Sequence, residues 1–269
     1  MKKIFSTIMT LAMMVAALGF VACGDDDDDD LDNGQGTNDK RLIRVKHVRR
    51  FRYYDFYNQY HDRTDSTMTQ YIYDSNGRIT RENHYRYKNI DHEPFMSGKT
   101  DYIYEDDLIT TASGKCKYII EDGKIVKIFY ISDYGNIDAS YYITYENGYM
   151  SKRVYEPFSD ERSFTRICNW SDGLLESYEY YENNDLEYTV YFEYTKYKNM
   201  IVNAFIMDMI LDVPFWDYMG KLPKYLISKR IIENEVTTYD WTVENGIPIK
   251  VAISENRYGV SESYTFEWE

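Results

Sequence analysis

Four histidines are the residues best suited to chemistry in this chain: His47, His61, His84 and His92. "HDRTD" at 61–65 and "NIDHE" at 89–93 set carboxylates beside His61 and His92. A metal needs several ligands converging on one point, whereas neighbouring residues on a strand point to opposite faces. The spacing therefore predicts exposed histidines and no metal site. Nucleophilic chemistry finds no footing either. There is no G-x-S-x-G turn, no H-E-x-x-H and no phosphate-binding glycine loop. Gly34-Gln35-Gly36 lies in a polar stretch with no strand before it. Paired carboxylates can hydrolyse a glycosidic bond, but with 45 Asp and Glu in the chain no pair stands out. The expectation is a non-catalytic protein without a cofactor, with a carbohydrate-active enzyme of the cell surface as the alternative.

Cys23 has the more specific surroundings. Lys2 and Lys3 precede an apolar run over 8–21, too short to span a bilayer comfortably. The run ends in Phe20-Val21-Ala22-Cys23. This resembles a bacterial lipobox, in which small residues precede a cysteine that is diacylated and becomes residue one. Phe20 stands where that motif usually has Leu. Six consecutive aspartates over 25–30 follow. Such a block repels itself, buries nothing and is expected to be a disordered tether. Directly after a lipidated cysteine it also resembles the export signal of Bacteroides-type surface lipoproteins. The chain thus divides into a signal peptide (1–22), an acidic tether (23–40) and one domain (41–269).

Net charge is −14 for the whole chain and about −9 for residues 41–269. An acidic domain argues against a nucleic-acid partner, which needs a basic surface to displace counterions. Arg41, Arg44, Lys46, Arg49, Arg50 and Arg52 crowd the first strand. They are expected to pair with acidic neighbours in the sheet.

The elements of that domain are legible from its turns. Tyrosine is the outlier of the composition, at 30 residues; it favours strands and joins an apolar ring to a polar tip. "YIYDSNGRIT" (71–80) reads as a strand, a turn and a strand leading away. Asp122-Gly123, Asn147-Gly148, Asp172-Gly173 and Asn245-Gly246 are two-residue hairpin signals. Further polar turns fall between them, at 133–136, 156–161 and 182–185. A turn about every 12 residues leaves strands of about 8–10 residues, each returning beside the last. The prediction is all-β: an up-and-down antiparallel meander of about 14–16 strands, rolled or closed as a barrel. One short helical insertion is predicted near 203–220, where apolar residues recur at helical spacing. Met207, Met209, Phe215 and Trp216 within it are expected to be core.

Pairing across the two-residue turns sets Ile120 opposite Ile125, Tyr145 opposite Met150 and Trp170 opposite Leu175. One step further out, simple alternation sets Tyr118 opposite Lys127, Ile143 opposite Lys152 and Cys168 opposite Ser177. On that register Lys127 and Lys152 interrupt the apolar face, and Lys124, Glu146 and Arg153 lie on the other. A membrane channel needs an unbroken apolar outer band, where a lysine at mid-bilayer costs about 2–4 kcal/mol, so a channel is not expected. Cys116 and Cys168 fall on strands four apart, about 19 Å at 4.8 Å per strand, beyond disulfide reach. They are expected to be free.

The lipobox with its acid tract, the Y-x-Y…N/D-G-x-I/L hairpins and the late "GKLPKYLIS" segment together resemble a family of Bacteroides surface lipoproteins of unknown function with a porin-like fold. The resemblance implies an outer-surface location and a rolled or closed antiparallel sheet, and it carries over no catalytic residues. "YIYDSNGRIT" also resembles the YD repeat of secreted toxin shells, although the later hairpins lose the Arg after Gly. Asp65-Ser66-Thr67 resembles a Bacteroides O-glycosylation acceptor. The functional expectation is a lipoprotein anchored in the outer membrane through Cys23, with a binding or scaffolding role toward a glycan or another surface protein.

Overall fold

The computed structural model describes residues 40–54, 60–88, 93–158, 162–199, 218–255 and 261–269. Cys23 and the acid tract lie outside them. So do 200–217, and with them all but the last residues of the expected helical insertion. Among the described residues the regular elements are strands, sixteen in all. In chain order they are β1 (Leu42–Tyr54), β2 (Tyr60–Tyr73), β3 (Ile79–Arg86), β4 (Phe95–Glu105), β5 (Leu108–Thr111), β6 (Cys116–Glu121), β7 (Lys124–Ile131) and β8 (Ile137–Glu146). There follow β9 (Tyr149–Pro157), β10 (Phe164–Ser171), β11 (Leu174–Glu182), β12 (Asp185–Lys198), β13 (Tyr225–Ile232), β14 (Glu235–Glu244), β15 (Ile247–Glu255) and β16 (Ser261–Trp268). Each pairs antiparallel with the next, and β1 pairs with β16, so the meander closes into a barrel. Arg41 and Glu269 complete the seam by exchanging both backbone hydrogen bonds at 3.0 Å. Closure leaves no unpaired sheet edge.

One end of the barrel, the lower rim, carries the turns at 74–78, 106–107, 122–123, 147–148, 172–173 and 245–246 together with the seam. Asn147 and Gly148 have φ of 53° and 85°, and Asp122, Asp172 and Asn245 with their glycines repeat the pattern. Both central residues are left-handed, as a type I′ hairpin turn requires. The 74–78 turn is built differently. The Asp74 carboxylate accepts the backbone N–H groups of Asn76 and Arg78, each at 2.9 Å, and pairs with the Arg78 guanidinium at 2.8 Å. Arg78 then lies over the Tyr104 ring, 4.6 Å from its centroid, and Ile79 enters the core.

The tyrosine that opens such a motif also has a structural role. Tyr73 donates its hydroxyl to the carbonyl of Leu42, Tyr104 to Ile79, Tyr145 to Ile125 and Tyr194 to Leu175. The indole N–H groups of Trp170, Trp241 and Trp268 donate in the same way to Met150, Ile227 and Pro248. All these bonds are 2.7–2.9 Å long. Each aromatic thus latches its own hairpin to an earlier strand, with a net contribution of about 0.5–1.5 kcal/mol apiece. The rings cap the core while their polar tips satisfy backbone carbonyls.

The three expected pairs nearest the turns form: Ile120 with Ile125, Tyr145 with Met150 and Trp170 with Leu175. The next pairs do not. The register shifts by one residue between Ile119 and Ile120, between Thr144 and Tyr145, and between Asn169 and Trp170. Tyr118 therefore faces Ile128, Ile143 faces Arg153 and Cys168 faces Tyr178. A bulge sets two residues against one and flips every side chain beyond it. It turns Lys127 and Lys152 outward and Arg153 inward, against the simple alternation.

Inside, buried residues form two clusters. One gathers Ile79, Ile109, Ile120, Ile125, Ile128, Ile143 and Met150; the other gathers Leu175, Val190, Ile227, Val251 and Phe266. Tyr71 packs against both. The lower rim is also crossed by 218–224. Met219 enters the first cluster, Lys221 N–H donates to Gly148 O at 2.7 Å, and Lys224 N–H donates to Gly173 O at 3.1 Å. Gly220 has a φ of 78°, and a Cβ there would lie 2.5 Å from the Gly148 carbonyl oxygen.

Candidate functional site

Above the packed rim, the inner wall of β7 to β13 changes character. Register carries one face from strand to strand: Ile143 opposes Arg153, Arg153 opposes Arg166, Arg166 opposes Tyr180, and Tyr180 opposes Tyr188. Ile143 belongs to the core, so the whole row faces inward. Around the two arginines runs a ladder of rings in contact. Its successive centroid separations are 5.8 Å from Tyr130 to Tyr141, 4.9 Å to Tyr155, 5.7 Å to Phe164, 5.7 Å to Tyr180 and 4.8 Å to Tyr188. Tyr130 is 37% exposed although it faces inward, so water reaches this wall.

The arginines sit against that ladder. The Arg153 guanidinium lies 4.1 Å from the Tyr141 ring centroid, and that of Arg166 lies 5.4 Å from Tyr178 and 5.7 Å from Tyr180. Burial, and then the charge of Arg166 beside it, pull the pKa of Arg153 below its ordinary value. Burial pushes the Tyr178 hydroxyl up to about 12, against the pull of Arg166 and Arg230. Arg230 reaches the same neighbourhood from β13, where it opposes Phe192, and its Nε is buried without a hydrogen-bond partner. Burial likewise pushes the Cys168 thiol up to about 12 and raises that of Cys116. Both cysteines are free, on β6 and β10, as their strand separation predicts. With raised pKa values they are poor nucleophiles.

The opposite wall holds a second polar group. His47 stacks on Tyr264 with centroids 4.2 Å apart and hydrogen-bonds Glu262 at 3.1 Å, and Arg49 pairs with the same carboxylate at 3.1 Å. Val45, two residues before His47, opposes the core residue Phe266, which places this set inside as well. The hydrogen bond from His47 holds Glu262 below the usual carboxylate range, outweighing its burial. Of the other histidines, His84 faces Thr100 at 3.4 Å, His61 is exposed on β2 and His92 lies outside the described residues. Among the described residues no three His, Cys, Asp or Glu side chains gather as a metal site. Ser66 is only 5% exposed within β2, so the expected glycosylation acceptor is not presented to an enzyme.

The outer face is of another kind. Arg44 pairs with Glu267 at 2.6 Å, Lys229 with Glu193 at 2.6 Å, and Arg81 and Lys99 both with Asp101. The Arg44, Lys229 and Arg81 pairs cross between strands and Lys99 pairs within β4; all face away from the core, and on the same outer face Lys127 lies over Phe129 and Tyr142. Such a surface suits water, since each of these cations would cost about 2–4 kcal/mol at the middle of a bilayer.

No protein-family model matches the sequence, and no curated protein matches it. Solved structures do. A porin-like protein from Bacteroides uniformis superposes with a TM-score of 0.63 at 19% identity, covering 85% of this chain and 98% of that one. The fold is that of a porin-like protein. A second porin-like protein, from Bacteroides vulgatus, gives a TM-score of 0.49 at 12% identity, covering 84% of this chain and 97% of that one.

The sequence marked the turns and the strand count but missed this wall. Arg153 is assigned outward by simple alternation, and only the bulge at Thr144/Tyr145 turns it in. The available signal was the spacing Arg153-x-Tyr155 and Phe164-x-Arg166 on consecutive strands.

Proposed function

We propose that this protein is a lipoprotein of the outer membrane, anchored through Cys23 and displayed at the cell surface, whose barrel binds a ligand and neither conducts nor catalyses. The observation that carries the binding reading is the inner aromatic ladder from Tyr130 to Tyr188, which spans six consecutive strands. A core needs no such continuous row of half-buried rings beside water. Aromatic faces in a polar setting suit the flat, C–H-rich faces of sugar rings, so the ligand class is a glycan. The outward ion pairs support a barrel that stands in water on its tether rather than one that spans lipid.

A glycan array probed with purified full-length protein tests the reading. Binding to a defined set of glycans, lost in Tyr155→Ala, is the expected outcome. Absence of glycan binding would overturn it, and hydrolysis of a bound glycan abolished by changing one carboxylate would favour the enzyme. Anchoring has its own test. Cys23→Ala should abolish fatty-acid labelling, and replacing the aspartates at 25–30 by alanine should keep the label but remove protease accessibility on intact cells.

A further inference from the structure

We propose that the aromatic ladder holds an oligosaccharide lengthwise and in one direction: the terminal sugar lies at the Tyr188 end, and the chain behind it leaves the barrel over the β5–β6 hairpin at the Tyr130 end. This deepens the glycan-binding reading and rests on it.

The two ends of the ladder differ. At one end Tyr180 and Tyr188 stack on each other, and both pack against the second buried cluster. Val190, two residues beyond Tyr188 on β12, belongs to that cluster and is completely buried. Core side chains therefore back this end. At the other end Tyr130 faces inward, opposite the buried Ala139 and Cys116, and is exposed all the same. Between them the ladder crosses five strand spacings, from β7 to β12. That is about 24 Å at 4.8 Å each, room for several sugars in a row. A tyrosine ring offers each of them an apolar face and a polar edge.

The wall beside Tyr130 is low. β5 and β6 have four and six residues, against eleven in β4 and eight in β7. Thr111, the last residue of β5, opposes Tyr102, while β4 reaches further from the lower rim through residues 95–101. The β5–β6 hairpin turns at 112–115. There Lys115 O accepts the N–H of Ile131 at 2.8 Å, and Cys116 opposes Tyr130. Tyr130 thus stands level with the turn, and the outermost ring of the ladder meets a sill. The space over that sill is free, since a Cβ built on Gly114 meets nothing within 4 Å. A chain lying on the ladder, backed by core at Tyr188, can continue only past Tyr130.

Isothermal calorimetry on the full-length protein tests this with cello-, malto-, xylo- and manno-oligosaccharides, each as disaccharide and as hexasaccharide. Within a series that binds, the hexasaccharide should bind at least tenfold more tightly than the disaccharide. Tyr188→Ala should weaken both by a similar factor, because every ligand starts at that ring. Tyr130→Ala should weaken the hexasaccharide at least tenfold and the disaccharide far less. Its melting temperature should hardly move, because the ring is exposed. Tyr191→Ala, which removes an exposed ring from the outer face, should leave both affinities unchanged. Equal affinity for the two lengths, or a Tyr130→Ala variant that weakens both lengths alike, would overturn the directional site. If binding depends on Tyr155 but not on chain length, the glycan reading survives and this inference falls. If no oligosaccharide binds, both fall.

Discussion

The lower rim and the arginine wall are built from the same residue types to opposite ends. At the rim, tyrosines and tryptophans point their polar tips at backbone carbonyls, and their rings close over isoleucine, leucine and methionine. Each of those polar tips has its backbone partner close to a turn. One layer up, tyrosines stack on each other and on arginines, and a guanidinium nitrogen of Arg230 is left without a partner. Satisfied polar groups around a dense core give stability. Half-exposed rings whose faces are open to water keep binding capacity at some cost in stability. The difference teaches that aromatic content alone does not locate a site. What the aromatic tips and cations are paired with does.

Substitutions at the rim should cost most. Leu175 and Ile125 are fully buried, so truncating either to alanine should destabilise the protein by about 2–5 kcal/mol, read by denaturant unfolding. Gly148→Val comes next. It places a β-branched residue at a φ of 85° and sets its Cβ against the Lys221 side chain at 3.2 Å, so a loss of about 1–3 kcal/mol is expected. Should Gly148→Val prove neutral, the turn is not type I′ and the rim is not the rigid element described above.

Smaller effects separate the two regions more finely. Tyr194→Phe removes one latch from Leu175 O and should cost about 1 kcal/mol. Tyr188→Phe on the ladder, whose ring stacks on Tyr180, should cost less than Tyr194→Phe in the same melting experiment. Acid should act through the carboxylates held below their usual range. For Glu262 the hydrogen bond from His47 dominates; at Asp74 burial opposes, but the hydrogen bonds from Arg78 and Asn76 together outweigh it. A depressed folded-state pKa gives stability that is complete above the unfolded value and is lost as pH falls through the folded one. Melting temperature should therefore drop as pH falls below the ordinary carboxylate range, and Glu262→Gln should make that drop shallower.

Much of the barrel could be read before its structure. Asp122-Gly123, Asn147-Gly148 and Asp172-Gly173 announce their turns because few residues tolerate two successive left-handed positions. The strand count follows from their spacing, and so does the separation of Cys116 from Cys168. The arginine wall was not legible. Its position depends on the one-residue shift between Thr144 and Tyr145, and a bulge leaves no mark in a pattern where tyrosine occupies both faces. Tyr142 is exposed and Tyr141 lines the interior, yet by type they are the same residue. Barrel closure was open for a related reason. It rests on β1 meeting β16, a contact between the two ends of the domain that no local signal encodes.

The most direct test sets one residue from each region side by side in the full-length protein, following melting temperature and glycan-array binding together for Leu175→Ala and Tyr155→Ala. A crossed result is expected: Leu175→Ala, in the core, lowers the melting temperature the more while its folded fraction binds the same glycans as the unaltered protein, and Tyr155→Ala, on the ladder, lowers it less while glycan binding is lost. If Tyr155→Ala instead loses as much stability and keeps its glycan binding, the ladder is scaffolding like the rim, and the division between the two regions is wrong.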